Sequence, residues 1–127
     1  MGNDKKLLAI MELGGYPNFT PLYQSCGYQV IMQHAMRKAI AVLRKEKPDV
    51  IVAEFNYQSN FRDRTSTLES LLATVEHLQQ TDSKKIKVVV FFEKEYEHQL
   101  DKLRNMFKNF DAIAYPIKEE TLKQHLQ

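Results

Sequence analysis

The sequence has little from which a covalent or metal-bound framework could be built. Only one of its 127 residues, Cys26, is cysteine, so no internal disulfide forms and no thiolate metal site is completed. No apolar run approaches the roughly 18 residues that a membrane span needs, and no apolar stretch follows the charged N-terminus as it does in a secretory signal. These absences predict a cytoplasmic protein that does not enter a membrane.

An excess of charge of one sign is also lacking. The 18 Lys and Arg residues are nearly balanced by 16 Asp and Glu residues, and the net charge is only +2. A charge this small does not indicate direct binding to nucleic acid. Hydrophobic residues make up 43% and charged residues 27%, which is an ordinary globular balance. We therefore expect a single globular domain over residues 1–127.

The familiar patterns of catalytic and metal sites are absent as well. The four histidines lie in different predicted elements without ligand spacing: His34, His77, His98 and His125. Gly14 and Gly15 alone do not make a phosphate-binding loop. No histidine stands near a candidate nucleophile, so the sequence favours a non-enzymatic protein that has no cofactor.

The strongest positive signal is the run from Asp49 to Phe55, which follows Pro48. Four consecutive apolar residues, three of them Val or Ile, lead into Glu54. A β-branched run of this kind is typical of a strand buried on both faces of a parallel sheet. Functional groups in such sheets collect at the carboxyl ends of the strands, which is where Glu54 is placed.

Short apolar runs alternate with helical periodicity along the whole chain. Four more strands are predicted at Leu7–Met11, Tyr28–Met32, Lys87–Phe92 and Asp111–Tyr115. Five helices are predicted between and after the strands: from a cap at Asn18 or Thr20 to Cys26, at Met36–Lys47, from a cap at Thr65 or Ser66 to Leu78, at Tyr96–Phe107 and at Glu119–Leu126, with a turn at Thr81–Lys85. This alternation predicts an α/β flavodoxin-like, doubly wound parallel sheet of five strands in the order 2-1-3-4-5, with helices on both faces.

Three acids follow the predicted strands: Glu12, Glu54 and Glu93. Carboxylates gathered at one sheet edge can bind a hard cation such as Mg²⁺. Weak Mg²⁺ binding, or a small ligand-binding domain or enzyme that uses these acids, is therefore one alternative. The other is that they are solvated acids at strand ends, where polar residues are common.

The order of elements and several residues resemble the receiver domain of bacterial response regulators, the CheY-like superfamily. Pro48-Asp49 and the apolar run up to Glu54 resemble the third strand, which in that family ends at the phosphorylated Asp. Lys6 to Glu12 resembles the first strand, which ends in an acid pair, and Tyr115-Pro116 resembles the Lys-Pro after the fifth. The resemblance implies a bacterial signalling module with the CheY-like fold.

Five positions depart from that family pattern. Glu54 replaces the phospho-acceptor Asp, and Met11 replaces one acid of the acid pair. Phe92 replaces the Thr or Ser that ends the fourth strand, and Tyr115 replaces the Lys that ends the fifth. Ala112 replaces the aromatic residue that shifts on activation. Phosphoryl transfer needs a reactive carboxylate, a held Mg²⁺ and a cation that offsets phosphate charge. The losses predict a pseudo-receiver that signals without phosphate and acts by protein–protein interaction.

Two further expectations concern contact surfaces and the last strand. The loop after Glu54 carries aromatic and arginine residues of the type enriched at binding hot spots: Tyr57, Phe61, Arg62 and Arg64. They are the candidate contacts for a protein partner, and a homodimer is left open. The alternative is that the two aromatic residues tuck back onto the sheet edge while the arginines are solvated. The resemblance also implies a cis bond before Pro116, with the Tyr115 ring aimed at Glu54 so that it closes the pocket.

Overall fold

A computed structural model describes residues 5–11, 18–55, 64–82 and 85–126. Within these ranges the chain forms a parallel sheet of five strands in the order β2-β1-β3-β4-β5. The strands are β1 Lys5–Ile10, β2 Tyr28–Gln33, β3 Val50–Glu54, β4 Lys87–Phe92 and β5 Asp111–Ala114. The predicted fold class, a doubly wound sheet in the order 2-1-3-4-5, is confirmed.

A helix follows each strand. The helices are α1 Thr20–Ser25, α2 Met36–Glu46, α3 Arg64–Asp82, α4 Glu97–Met106 and α5 Glu119–Leu126, and a 3₁₀ turn at Lys94–Tyr96 leads into α4. Gly27, just past α1, has a φ of 91°, a conformation that glycine adopts without steric cost. Among the helices of the described ranges, none combines the length and apolarity needed to cross a bilayer.

The central strand β3 is buried on both faces, as its β-branched sequence predicts. All five of its residues are buried, and their side chains alternate between two separate cores. Ile51 and Ala53 point into the core covered by α2, α3 and α4. Val50 and Val52 point into the core covered by α1 and α5. Glu54 continues the second set, so the backbone alternation directs its carboxyl group towards α1 and α5.

Each helix contributes an apolar stripe to one of these cores. On the first face, α3 supplies the longest stripe, and its residues match those predicted from the periodicity: Leu68, Leu71, Leu72, Val75 and Leu78. On the second face, Leu122 and Leu126 of α5 pack beside Tyr28. The Tyr28 hydroxyl also donates a hydrogen bond of 2.7 Å to the backbone oxygen of Leu126. This bond fastens the end of α5 to the start of β2.

The turn predicted at Thr81–Lys85 is wrong for its first two residues, because α3 continues to Asp82. Two side-chain contacts account for the extra length. The Thr81 hydroxyl donates to the backbone oxygen of His77 one turn earlier, at 2.9 Å. The Asp82 carboxylate forms an ion pair with Lys47 Nζ at 2.6 Å. The second contact comes from a residue far away in sequence.

Asp49 ties the start of β3 to β1. Its backbone N–H donates to the oxygen of Lys6 at 2.9 Å, and its carboxylate Oδ2 accepts from the Lys6 N–H at 2.9 Å. β1 begins at Lys5, two residues before its predicted start, because Lys5 and Lys6 pair with Tyr28 and Gln29 of β2. The carboxylate therefore provides the hydrogen bond that closes this end of the central strand pair.

We expect Asp49→Ala to lower the free energy of unfolding by about 1 to 3 kcal/mol, because it leaves the Lys6 N–H without its charged acceptor. Asp49→Asn keeps an acceptor oxygen and should lose less than half as much. Urea denaturation followed by circular dichroism measures both. Equal losses in the two variants would contradict the assignment of the effect to this hydrogen bond.

Candidate functional site

Glu54 stands at the carboxyl end of β3 and is only 4% exposed. Its backbone is in register with Phe91 of β4, so the two side chains lie next to each other on the face covered by α1 and α5. Glu54 is the one buried charged residue among those that the structure describes. The candidate site is therefore an acid held inside the protein at the end of the central strand.

The cavity beside Glu54 has a volume of about 10 Å³, at most the space of a single water molecule. Apart from Glu54, its walls come from the ends of the first, third and fourth strands and from the region of α1: Ala9, Ile10, Met11, Phe19, Tyr23, Val52 and Phe91. Phe19 meets the edge of the Phe91 ring, with 6.0 Å between centroids. Aromatic packing thus fills most of the space around the acid.

Tyr23 brings the only phenolic hydroxyl among the cavity-lining residues. It is buried to 3% exposure, and burial raises the pKa of its hydroxyl well above the usual tyrosine range because it disfavours the phenolate. Tyr23 is therefore a neutral group at any physiological pH, able to donate or accept a hydrogen bond but not to supply a charge.

Met11, which the sequence aligns with one acid of the pair in receiver domains, lines the cavity. Its backbone N–H donates to the oxygen of Gln33 at 3.0 Å, and its backbone oxygen lies 3.1 Å from His34 Nδ1. A thioether is a poor ligand for a hard cation, which prefers oxygen. Met11 thus contributes apolar surface to the site.

Phe92 lies on the other side of the sheet. It is buried in the core of α2, α3 and α4, and the Arg104 guanidinium of α4 sits 5.6 Å from the centre of its ring. The same guanidinium pairs with Asp101 at 2.7 Å. Phe91, one residue earlier, is the aromatic side chain that borders Glu54.

The Tyr115–Pro116 peptide bond is cis, as predicted. Tyr115 is 44% exposed, however, and it is not among the residues that line the cavity beside Glu54. Its ring borders a wide surface depression with Pro116, Lys94 and Lys118, so the expectation that it closes the Glu54 cavity is not confirmed. Ala112 is half-buried against the core of α2, α3 and α4, on the face opposite Glu54.

Glu93 is exposed just after β4. Its side chain shares a hydrogen bond with Glu95, and this bond, together with partial desolvation and the nearby negative charge, raises the pKa of Glu93. Such a hydrogen bond exists only while one of the two carboxyl groups is protonated, so it favours the protonated form of Glu93. Glu93 therefore has an acidic partner on the 3₁₀ turn.

Several predicted site residues fall where the structure gives no description. Glu12, Tyr57, Phe61 and Arg62 lie outside the described residues, and Arg64 is described only as the first backbone position of α3. Their roles stay predictions from the sequence. Within the described ranges, no group of three or more His, Cys, Asp or Glu side chains is placed to hold a metal ion.

Sequence reasoning missed the three aromatic residues that surround Glu54: Phe19, Tyr23 and Phe91. Phe19 and Tyr23 are four residues apart, which is the spacing of neighbours on one side of a helical turn. Their centroids are 6.5 Å apart. That spacing was visible in the sequence, but only the packing of α1 onto the sheet shows that it faces Glu54.

We expect Glu95→Ala to lower the pKa of Glu93 towards the ordinary glutamate range, because it removes both the shared hydrogen bond and the neighbouring charge. The stabilisation that comes from protonated Glu93 is present at low pH and is lost as the pH rises through its raised folded-state pKa. Side-chain NMR titration measures the change, and Glu97→Ala is the matched control. Equal pKa values in the parent protein and Glu95→Ala would contradict the pairing.

Comparison with solved structures places this geometry in a known fold. No protein-family model and no curated protein sequence matches the chain. The structure is similar to the Vibrio cholerae chemotaxis protein CheY4, with 21% identity, a TM-score of 0.69 and coverage of 97% of this chain and 96% of that one.

Two further structures agree with this result. A response regulator receiver domain from Clostridium thermocellum matches with 11% identity and a TM-score of 0.67 over 96% of this chain and 90% of that one. A member of a family of redox sensors in the streptococci, described as evolved from two-component response regulators, matches with 15% identity and a TM-score of 0.63 over 96% of this chain and 49% of that one. The chain has the CheY-like fold of response-regulator receiver domains.

Proposed function

We propose that this chain is a non-enzymatic signalling module of a bacterial pathway, a receiver-like domain that works without phosphorylation, binds no resident cofactor and acts in the cytoplasm by contact with a protein partner. The observation that carries the proposal is the state of Glu54. It occupies the position of the phospho-acceptor, and it is 4% exposed beside a cavity of about 10 Å³.

Phosphoryl transfer depends on positioning and on the neutralisation of charge. The acceptor oxygen must reach the phosphorus in line with the leaving group, and a metal ion must hold the phosphoryl oxygens. A cavity with room for about one water molecule holds neither a phosphoryl group nor a hydrated cation. The aromatic rings of Phe19 and Phe91 pack there instead.

The supporting residues argue in the same direction. Met11 offers a thioether where the family has an acid, and Tyr115 offers a phenol where it has an ammonium group. Phe92 has no hydroxyl group where the family has Thr or Ser, and its ring is buried against Arg104 on the opposite face. Each change removes one requirement of the reaction, and together they support signalling by a means other than phosphate.

A solved structure of the same fold supports the idea that a receiver-like scaffold can respond to a signal other than phosphorylation. The streptococcal structure is described as a redox sensor evolved from two-component response regulators. In the present chain, Glu54 places a carboxyl group permanently where receivers acquire a phosphate. We infer that the domain is held in one signalling state, whose output is controlled by whether its partner is present.

We expect no adduct at Glu54 when the protein is incubated with acetyl phosphate or with beryllofluoride, as measured by intact mass and fluorine NMR. Glu54→Asp restores the shorter acceptor, but it should also stay unmodified because Met11, Phe92 and Tyr115 are unchanged. An active receiver treated in parallel confirms the reagents. A stable adduct on Glu54 would overturn the proposal.

A Mg²⁺ titration followed by amide chemical shifts separates this function from the metal-dependent alternative. We expect no saturable shift at Glu54 or Phe91, because the cavity beside the carboxyl group has room for about one water molecule and a hard cation needs several oxygen ligands. Calcium serves as the control for general ionic effects. A saturable, Mg²⁺-specific shift at Glu54 would support a metal site.

A further inference from the structure

The exposed side of α2 carries a stripe of positive charge that folding does not explain. Residues Arg37, Lys38, Ala41, Arg44 and Lys45 are all exposed. Successive residues of a helix turn by about 100°, so these five positions fall within about 120° of the helix circumference. The buried residues of the helix, Met36, Ala39 and Leu43, lie on the opposite side. We call the four cations of this set the α2 stripe.

None of the four cations of the α2 stripe forms a salt bridge with an acid of the described residues, although Lys45 lies close enough to Glu46 to help lower its pKa. The one acid within the helix, Glu46, is bound to Lys6 Nζ at 2.7 Å, and this contact lowers the pKa of Glu46. Beyond the helix end, Lys47 pairs with Asp82 at 2.6 Å. The acids at the end of the helix are therefore already bound to Lys6 and Lys47, and within the described residues the stripe has no salt bridge of its own.

Helix stability accounts for only half of the stripe. Arg44 and Lys45 lie in the last turn, where cations interact favourably with the helix dipole. Arg37 and Lys38 lie in the first turn, which contains no acidic residue, and there the dipole disfavours positive charge. Two cations at the unfavourable end, which form no ion pair within the part of the chain that the structure describes, are better explained by binding than by folding.

The spacing of the stripe fits a helical partner. Arg37 and Arg44 are seven residues apart, as are Lys38 and Lys45, so each pair repeats after about two turns, or about 10 Å. Side chains spaced by seven face the same side of a neighbouring helix. Ala41 lies between the pairs and is small enough for a second helix to approach closely.

The short length of the stripe argues against nucleic acid. It covers about 12 Å along the helix, and the whole chain has a net charge of only +2. A nucleic-acid site needs an extended basic surface that follows a long, uniformly charged backbone. We infer that the α2 stripe docks an acidic helical segment of a partner protein, with carboxylates repeated every seven residues on one side. This inference rests on the proposed protein-binding function and names its surface.

Binding of two fluorescein-labelled peptides, measured by anisotropy, tests the inference. Both are alanine-based and about 20 residues long, which is enough to form a helix in water. One carries glutamates at positions i, i+1, i+7 and i+8 on a single side, and the other has the same composition with glutamates spread around the helix. We expect the intact protein to bind the one-sided peptide at least about tenfold more tightly than the spread peptide, and less tightly as salt is raised.

Two matched variants separate position from net charge. The stripe variant is Arg37→Gln, Lys38→Gln, Arg44→Gln and Lys45→Gln. The control variant is Lys102→Gln, Lys108→Gln, Lys118→Gln and Lys123→Gln, which removes four exposed cations elsewhere. We expect the stripe variant to lose about tenfold in affinity and the control variant less than about twofold. Thermal melts of all three proteins establish that they are folded, and Arg37→Gln with Lys38→Gln should not lower the melting temperature.

Three outcomes would overturn the inference. One is an equal loss in both variants, which would show only a net-charge effect. Another is equal binding of the two peptides. The third is tighter binding of a DNA duplex of about 20 base pairs that the stripe variant abolishes, which would make the stripe a nucleic-acid surface. The acetyl phosphate experiment does not involve α2, so a Glu54 adduct would overturn phosphate-free signalling and leave the peptide result standing.

Discussion

The burial of β3 on both faces constrains the rest of this molecule. The strand has β1 on one side and β4 on the other, and separate cores cover its two faces. Every side chain from Val50 to Glu54 is therefore enclosed. An apolar residue gains stability in such a position, whereas an acid there must be tolerated by its surroundings. The site is a consequence of this constraint, because the alternation of the strand directs Glu54 into the core.

Closely packed aromatic side chains surround Glu54. An active phosphoryl-transfer site needs solvent access and several charged groups held close together, and both features oppose tight packing. Here Phe19, Tyr23 and Phe91 occupy that space and bury their rings. Each buried aromatic side chain contributes about 1.5 to 3 kcal/mol of hydrophobic stabilisation. This edge of the sheet is therefore a well-packed part of the core.

The sequence allowed the fold to be predicted because its signals are local. The run of Val and Ile before Glu54, the periodicity of α3 and the Tyr115-Pro116 pair each depend on a few neighbouring residues. The end of α3 was not predictable in the same way, because Asp82 is held by Lys47 from another element. The site was more difficult to predict from the sequence than the end of α3. A period of two along β4 shows that Phe91 and Phe92 point to opposite faces, but it does not show which of them meets Glu54.

The hydrogen bond between the Tyr28 hydroxyl and the oxygen of Leu126 joins residues that are 98 positions apart in the chain. The core that surrounds it also draws on both regions, since Leu122 and Leu126 pack with Tyr23 and Tyr28. The residues that cover the two faces of the sheet are therefore completed at different points during synthesis. The face of α2, α3 and α4 has all of its residues once Ala114 of β5 has been synthesised. The face that encloses Glu54 lacks part of its cover until Leu126 has been synthesised, so the acid becomes enclosed only after α5 has been made.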